Sequence, residues 1–123
     1  MCIRSLLSGR SLEGVWARFG RGASLYRAPK HAVWLHAVSA GEVAATAIMI
    51  PALRASLGSD VPIVLSTATH SGMQMAEKRL GQGVTLIHAP LDLPRVTRRF
   101  VARLEPALLA VAEIEIWPNL FRA

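Results

Sequence analysis

Val33-Trp34-Leu35-His36-Ala37-Val38-Ser39-Ala40-Gly41-Glu42 is the stretch from which the fold can be read. A short apolar run ends in Ser-Ala-Gly-Glu, and from Val43 to Leu57 the apolar spacing becomes helical. The pattern predicts a strand over 33–38, a tight turn in which Gly41 supplies backbone freedom, and a helix over 41–57. Pro51 falls inside that helix and predicts a kink or break near residue 50, because proline removes one main-chain hydrogen bond. The strand is apolar on both faces, as expected of a buried parallel strand.

The same alternation continues down the chain. Strands are expected over 62–67, 84–88 and 107–112, with helices from about Ser71 to Gly81 and from Pro94 onward. Val96, Phe100, Val101 and Leu104 form the buried stripe of the second of these, and Arg95, Arg98, Arg99 and Arg103 its exposed face. Trp117-Pro118-Asn119 opens a further turn or helix. Strands alternating with helices at this spacing predict an α/β fold, a Rossmann-like parallel sheet flanked by helices. Right-handed crossovers then bring every strand's carboxyl end to one edge, where ligands of open α/β sheets bind. Ser39 to Glu42, Thr67 to Gly72, Ala89 to Asp92 and Glu113 to Asn119 all fall on that edge.

Each of these groups carries more than one reading. Glu42 is the leading chemical candidate, yet Ser39 followed three residues later by a glutamate is also a capping box, and an acid in the first helical turn complements the helix dipole. Thr67-Ala68-Thr69-His70-Ser71-Gly72 precedes a helix and suits either a phosphate or carboxylate site or an ordinary hydroxyl cap. Neither a P-loop nor the glycine fingerprint of a dinucleotide-binding domain is present. Glu113 and Glu115 share one side if the chain is extended there. An acid/base pair, a sugar-binding edge, a buried polar network and plain structural hydrogen bonding all fit them.

Composition limits the classes further. The 123 residues are 52% apolar and 18% charged, enough to bury one core. The single cysteine, Cys2, excludes an internal disulfide framework, and the four histidines, at 31, 36, 70 and 88, have no metal-ligand spacing. Residues 1–30 carry Arg4, Arg10, Arg18, Arg21, Arg27 and Lys30 against Glu13 alone, whereas the other eight bases nearly balance seven acids. The basic character therefore belongs to an N-terminal arm, residues 1–31. Leu12, Val15, Trp16 and Phe19 share a face there, which predicts a short amphipathic helix over 11–19 ended by Gly20 and Gly22. It suits either a lipid interface or packing on the body. No apolar run approaches a bilayer-spanning length, so the chain is not expected to cross a membrane. With 6% aromatic residues and no recognition motif, nucleic acid is not an expected partner.

Four motifs carry a resemblance. Trp34 to Val43, Ser66-Thr67-Ala68-Thr69-His70-Ser71-Gly72, Ala89-Pro90-Leu91-Asp92-Leu93-Pro94 and Glu113-Ile114-Glu115-Ile116-Trp117-Pro118-Asn119-Leu120 closely resemble the N-terminal domain of 3-deoxy-D-manno-octulosonic acid (Kdo) transferases, in the same order. Gly14 to Arg21 is similar to the basic segment that follows that family's membrane anchor. The resemblance implies half of a GT-B glycosyltransferase, an enzyme of two Rossmann-like domains. Such enzymes move Kdo from CMP-Kdo to the lipid A precursor with inversion and without a metal ion. It implies that Glu42 is the general base and that residues 32–123 are an incomplete acceptor-binding domain. Ser39, Gly41, Thr67, Ser71, Gly72, Glu113 and Glu115 would bind the acceptor or support the site.

The same resemblance implies no resident cofactor, an anionic membrane surface as a partner, and a place at the cytoplasmic face of the bacterial inner membrane. It also implies a membrane anchor before residue 1 and a donor-binding C-terminal domain after residue 123. On that reading the 123 residues alone are expected to be inactive. Two alternatives are a non-catalytic module that holds an anionic lipid or phosphosugar and another GT-B enzyme of lipid A or cell-envelope synthesis.

Overall fold

The computed structural model describes residues 9–80, 83–112 and 118–123. Cys2, Glu113, Glu115 and Trp117 lie outside the described residues. The chain runs α1 (Gly9–Trp16), a π-helical stretch (Ala17–Arg21), α2 (Ala23–Arg27), β1 (Val33–His36), α3 (Ala40–Leu57), β2 (Ile63–Thr67), α4 (His70–Arg79), β3 (Val84–His88), α5 (Pro94–Leu104), β4 (Leu108–Val111) and α6 (Pro118–Arg122). The four strands form one parallel sheet in the order β3-β2-β1-β4, as a Rossmann-like fold requires. β1 is followed by a neighbour on one side, β2, while the chain leaving β3 returns to β1's other side. The direction of strand order therefore reverses between β1 and β4, and the carboxyl ends flanking that point are where such sheets bind ligands.

Alternation along the strands divides the core between two faces. Val33, Leu35, Ile63 and Leu65 face α3 and α4, where they meet Val43, Ile50, Ala76 and Leu80. Trp34, Val64 and Ile87 face the other way, against Leu25, Val96, Phe100, Leu104 and Leu120. Trp34 and Phe100 stack there with ring centroids 6.4 Å apart. Of the stripe expected on α5, Val96, Phe100 and Leu104 are buried and Val101 partly so, with Thr97 added to it. Two arginines of its exposed face also bond to the N-terminal segment. Arg99 donates to the Phe19 carbonyl at 2.9 Å, and Arg103 donates to the Tyr26 carbonyl.

These bonds belong to the way the N-terminal segment packs. Leu25 and Ala28 enter the core beneath α5. The expected helix over 11–19 is instead α1 followed by the π-helical stretch, whose continuity fails at Gly20 (φ 81°). A Cβ there would lie 2.7 Å from the Arg99 side chain, so glycine serves both the turn and the close approach. Of the apolar face, Phe19 packs on the core, while Leu12, Val15 and Trp16 remain exposed, with the Arg21 guanidinium 5.6 Å above the Trp16 ring.

Three expectations need correction. α3 runs without a break through Pro51, which lies on its exposed side. Water can hydrate the carbonyl that proline leaves without a main-chain donor there. By length and composition alone this 18-residue helix is apolar enough to cross a membrane, contrary to the expectation that no run reaches that length. It carries Glu42 and Arg54, buries Val43, Thr46 and Ile50 on the sheet side, and is a crossover between two strands. Its last turn is tied down by Arg54, which donates to the carbonyls of Ser59, Val61 and Gly83 at the amino end of the sheet. Finally, Gly41 needs no special backbone freedom, because it sits in the first turn of α3 and is absent from the positive-φ residues. Extended Ser39 (φ −105°, ψ 167°) makes the turn instead.

Candidate functional site

The chain leaving β1 continues the ladder for one residue, with Ala37 N–H donating to the Ser66 carbonyl at 3.0 Å. Val38 then turns its main chain away from the sheet, and its amide must find another acceptor. Glu42 supplies it: carboxylate Oε2 accepts the Val38 N–H at 2.7 Å, while Ser39 Oγ accepts the Glu42 N–H at 3.4 Å. This is a reciprocal cap of the capping-box kind, shifted one residue outward from the usual partner. It holds the carboxylate in one place, half-buried, at the carboxyl end of the central strand. Among the described residues the second oxygen, Oε1, has no hydrogen-bond partner. The capping and chemical readings of Glu42 are therefore compatible, with one oxygen fixed and the other available.

The Val38 carbonyl is fixed as well. Thr67 and Thr69 hydroxyls both donate to it at 3.0 Å, and Thr69 Oγ1 also accepts the Gly72 N–H at 2.9 Å as the N-cap of α4. The helix thus starts at His70, one residue before the expected Ser71, with Thr69 rather than Ser71 as its cap. Ser71 is exposed, its hydroxyl 3.4 Å from that of Thr69. Thr67 is buried with its proton committed to Val38, so its part is to hold the β1 exit in place. Gly72 is required by packing: a Cβ would fall 2.2 Å from Thr67 Oγ1, 2.8 Å from Thr69 Oγ1 and 3.1 Å from the Val38 carbonyl. At Gly41 the opposite holds. No atom lies within 4 Å of the position a Cβ would take, so bare backbone faces open space beside Glu42.

The structure therefore brings Ser39, Gly41, Glu42, Thr67, Ser71 and Gly72 to one edge; Glu113 and Glu115 lie outside the described residues. Three arrangements were not read from the sequence. Asp92, in the β3–α5 loop, accepts the Asn119 and Leu120 amides at 3.1 and 3.0 Å, and Asn119 Nδ2 donates to the Asp92 carbonyl at 2.8 Å. That latch gives Asn119 its structural purpose. Under the edge, Ser66 Oγ accepts Trp34 Nε1–H at 2.8 Å and shares a 2.8 Å hydrogen bond with His36 Nδ1. Alternation does place Trp34, His36 and Ser66 on one face of two neighbouring strands, but only the register β1–β2 makes them meet.

The third arrangement is Arg18. Its Nε donates to the Ala89 carbonyl at 3.1 Å, and its own carbonyl accepts the Leu91 N–H at 3.0 Å. The guanidinium is thereby held at the carboxyl end of β3, where burial lowers its pKa from the ordinary arginine value. His88 is held below the ordinary histidine value, first by burial, then by the charges of Arg18 and His70, with Glu77 opposing. Among the described residues, no group of three or more His, Cys, Asp or Glu side chains gathers as metal ligands would.

Comparison with known proteins agrees with this architecture. The family model described as 3-deoxy-D-manno-octulosonic-acid transferase (kdotransferase) matches residues 13–123. The 3-deoxy-D-manno-octulosonic acid transferase of Bordetella pertussis is 40% identical over 125 residues, covering 93% of this chain and 28% of the relative. That of Haemophilus influenzae is 32% identical over 126 residues, covering 98% and 29%. The Arabidopsis thaliana protein named "Probable 3-deoxy-D-manno-octulosonic acid transferase, mitochondrial" is 37% identical over 108 residues, covering 86% and 23%. The chain thus spans less than a third of the length of these curated relatives. Matched along nearly all of its own length, it belongs to the 3-deoxy-D-manno-octulosonic acid transferase family.

Proposed function

We propose that this chain is the acceptor-side part of a GT-B glycosyltransferase that moves Kdo from CMP-Kdo to the lipid A precursor, with Glu42 as general base. The observation that carries the reading is the state of the Glu42 carboxylate. One oxygen is anchored by the Val38 amide 2.7 Å away, and the other has no partner among the described residues. A base has to be held within hydrogen-bond reach of the proton it takes, and a carboxylate anchored through one oxygen supports that reading. The bare backbone at Gly41 leaves room for a sugar to approach.

In the reaction, the acceptor hydroxyl oxygen forms a bond to the anomeric carbon of Kdo as its proton passes to Glu42. The bond from that carbon to the phosphate oxygen of CMP breaks, and its electron pair leaves with CMP. Attack on the face opposite the leaving group inverts the centre. The donor would be bound by a second domain, and the reading calls on no metal ion. Exposed Leu12, Val15 and Trp16 beside Arg21 support a place against an anionic membrane surface, at the cytoplasmic face of the inner membrane.

Glu42→Gln tests the assignment in a transferase that carries this domain together with its donor-binding domain. The amide keeps an oxygen to accept the Val38 N–H and the side-chain shape but cannot take the proton. CMP release with a lipid A precursor is expected to fall by about 100- to 10,000-fold with the thermal unfolding midpoint nearly unchanged. Retention of a large share of the activity would exclude Glu42 as the base. If the parent protein binds the acceptor yet releases no CMP from CMP-Kdo, the non-catalytic binding module becomes the better account.

A further inference from the structure

We propose that Arg18, His70 and His88 form a subsite for a phosphate monoester at the carboxyl ends of β2 and β3. Arg18 comes from the N-terminal segment but is clamped to the β3–α5 loop twice, through its side-chain Nε and through its own carbonyl. That clamping fixes the guanidinium before any ligand arrives, so little conformational freedom is lost on binding. Only Nε is used by the protein; among the described residues the two terminal nitrogens have no partner. Nor does a carboxylate pair with it, since the ion pairs among the described residues join only Lys30 and His31 to Glu105. Asp92, in the same loop, is occupied by the amides that open α6.

The neighbouring side chains extend the same character. His88 pairs in register with Thr67 at the end of β2, and His70 follows Thr67 by three residues as the first residue of α4. Neither ring has a hydrogen-bond partner among the described residues. His88 feels the positive charges of both Arg18 and His70, and the carboxylate it feels in return is Glu77 on α4. Half-burying the Arg18 guanidinium with no acid paired to its terminal nitrogens among the described residues is unfavourable, and an anion bound there relieves that cost. A phosphate dianion fits, because its oxygens can accept from the planar arginine fork and from two ring N–H groups together. The site stands as a phosphate site without the transfer reaction. Only its assignment to the acceptor substrate rests on the reading proposed above.

The test is an NMR titration of the full chain with inorganic phosphate, following the histidine ring signals against sodium chloride at matched ionic strength. His88 and His70 are expected to shift with phosphate and not with chloride, while His31, on the opposite edge, stays still. Arg18→Gln is expected to weaken phosphate binding roughly tenfold or more, and His88→Asn about threefold or more. Lys30→Gln removes the same charge at the amino end of the sheet and should leave the affinity unchanged. His88→Asn keeps the proposal testable should loss of Arg18 unfold the N-terminal segment.

Phosphatidylcholine vesicles containing phosphatidic acid, whose headgroup is a monoester, separate the possible sources. If they shift the same rings, a lipid headgroup is the ligand; if only inorganic phosphate does, a soluble ester is. Absence of a phosphate-specific shift at His88, or wild-type affinity in both variants, overturns the subsite. Because no donor and no transfer step enter these measurements, their failure would leave the role of Glu42 standing, and loss of that role would leave the subsite standing.

Discussion

The exits of β1 and β3 lie on the same edge of the sheet with β2 between them, and they treat their polar groups in opposite ways. At the β1 exit both main-chain groups of Val38 have an answer inside the protein. The Val38 amide is taken by Glu42, and its carbonyl is taken by Thr67 and Thr69. At the β3 exit the same edge carries Arg18 and His88, neither in an ion pair among the described residues, and the acid in that loop, Asp92, faces α6 instead. A closed network of hydrogen bonds costs little to bury and sets geometry. A half-buried arginine whose terminal nitrogens have no partner among the described residues leaves room for affinity toward something else. The first region positions one carboxylate; the second calls for an anion.

The largest way to break this contrast is to open the β1 network. Gly72→Ala would put a methyl group 2.2 Å from Thr67 Oγ1 and 3.1 Å from the Val38 carbonyl, neither of which can retreat without losing its hydrogen bond. Overpacking of that kind, with a cap lost beside it, is expected to cost about 3 kcal/mol. Urea unfolding of the chain should show a lower midpoint with an unchanged slope. A loss below about 0.5 kcal/mol would mean that α4 does not approach Val38 as closely as described.

A smaller effect is expected at the β3 exit, where Asp92→Ala removes the acceptor of two α6 amides. Helix caps of this chemistry contribute about 1–2 kcal/mol. The same urea experiment measures it, and a double variant with Asn119→Ala should cost less than the two single changes added together, because both remove one latch. Simple additivity would show that Asn119 is held by the main-chain carbonyl of residue 92, which Asp92→Ala leaves in place.

These two latches also mark where the sequence stops being informative. The strands were legible because apolar, β-branched runs end at glycine, proline or polar clusters; β3 has its expected bounds, and β1 is shorter by Ala37, which still bonds to β2, and Val38, which turns toward Glu42. The Ser39–Glu42 cap was legible because its partners are three residues apart. Thr67 and Thr69 reach Val38 across 29 and 31 residues, Asp92 reaches Asn119 across 27, and Arg18 reaches Ala89 across 71. No local spacing encodes such contacts; they arise from strand order, which the alternation of elements leaves open. The continuity of α3 through Pro51 is similarly a matter of exposure, which the sequence does not state. Arg18 therefore read as one charge among six in a basic arm, although its neighbours do not share its position.

The smallest expected effect tests the β3 side through pH. Burial, Arg18 and His70 together outweigh Glu77 and hold folded His88 below the ordinary histidine value of 6.5. The unfolded chain then takes up a proton at a higher pH than the folded one does. Stability from this residue is fully present above about pH 6.5 and declines as pH falls through the lowered folded value. The ring is only partly buried, so the slope should be modest. His88→Asn should remove it, flattening the urea midpoint between about pH 7.5 and 5.5 relative to the wild-type chain, while the other three histidines contribute equally to both. Phosphate should act in the same direction on the wild-type protein, because a bound anion favours the protonated ring and offsets the two cations. Parallel pH curves for wild type and variant would place His88 outside the cationic cluster. A difference that persists unchanged in phosphate would leave it in the cluster and deny that cluster an anion.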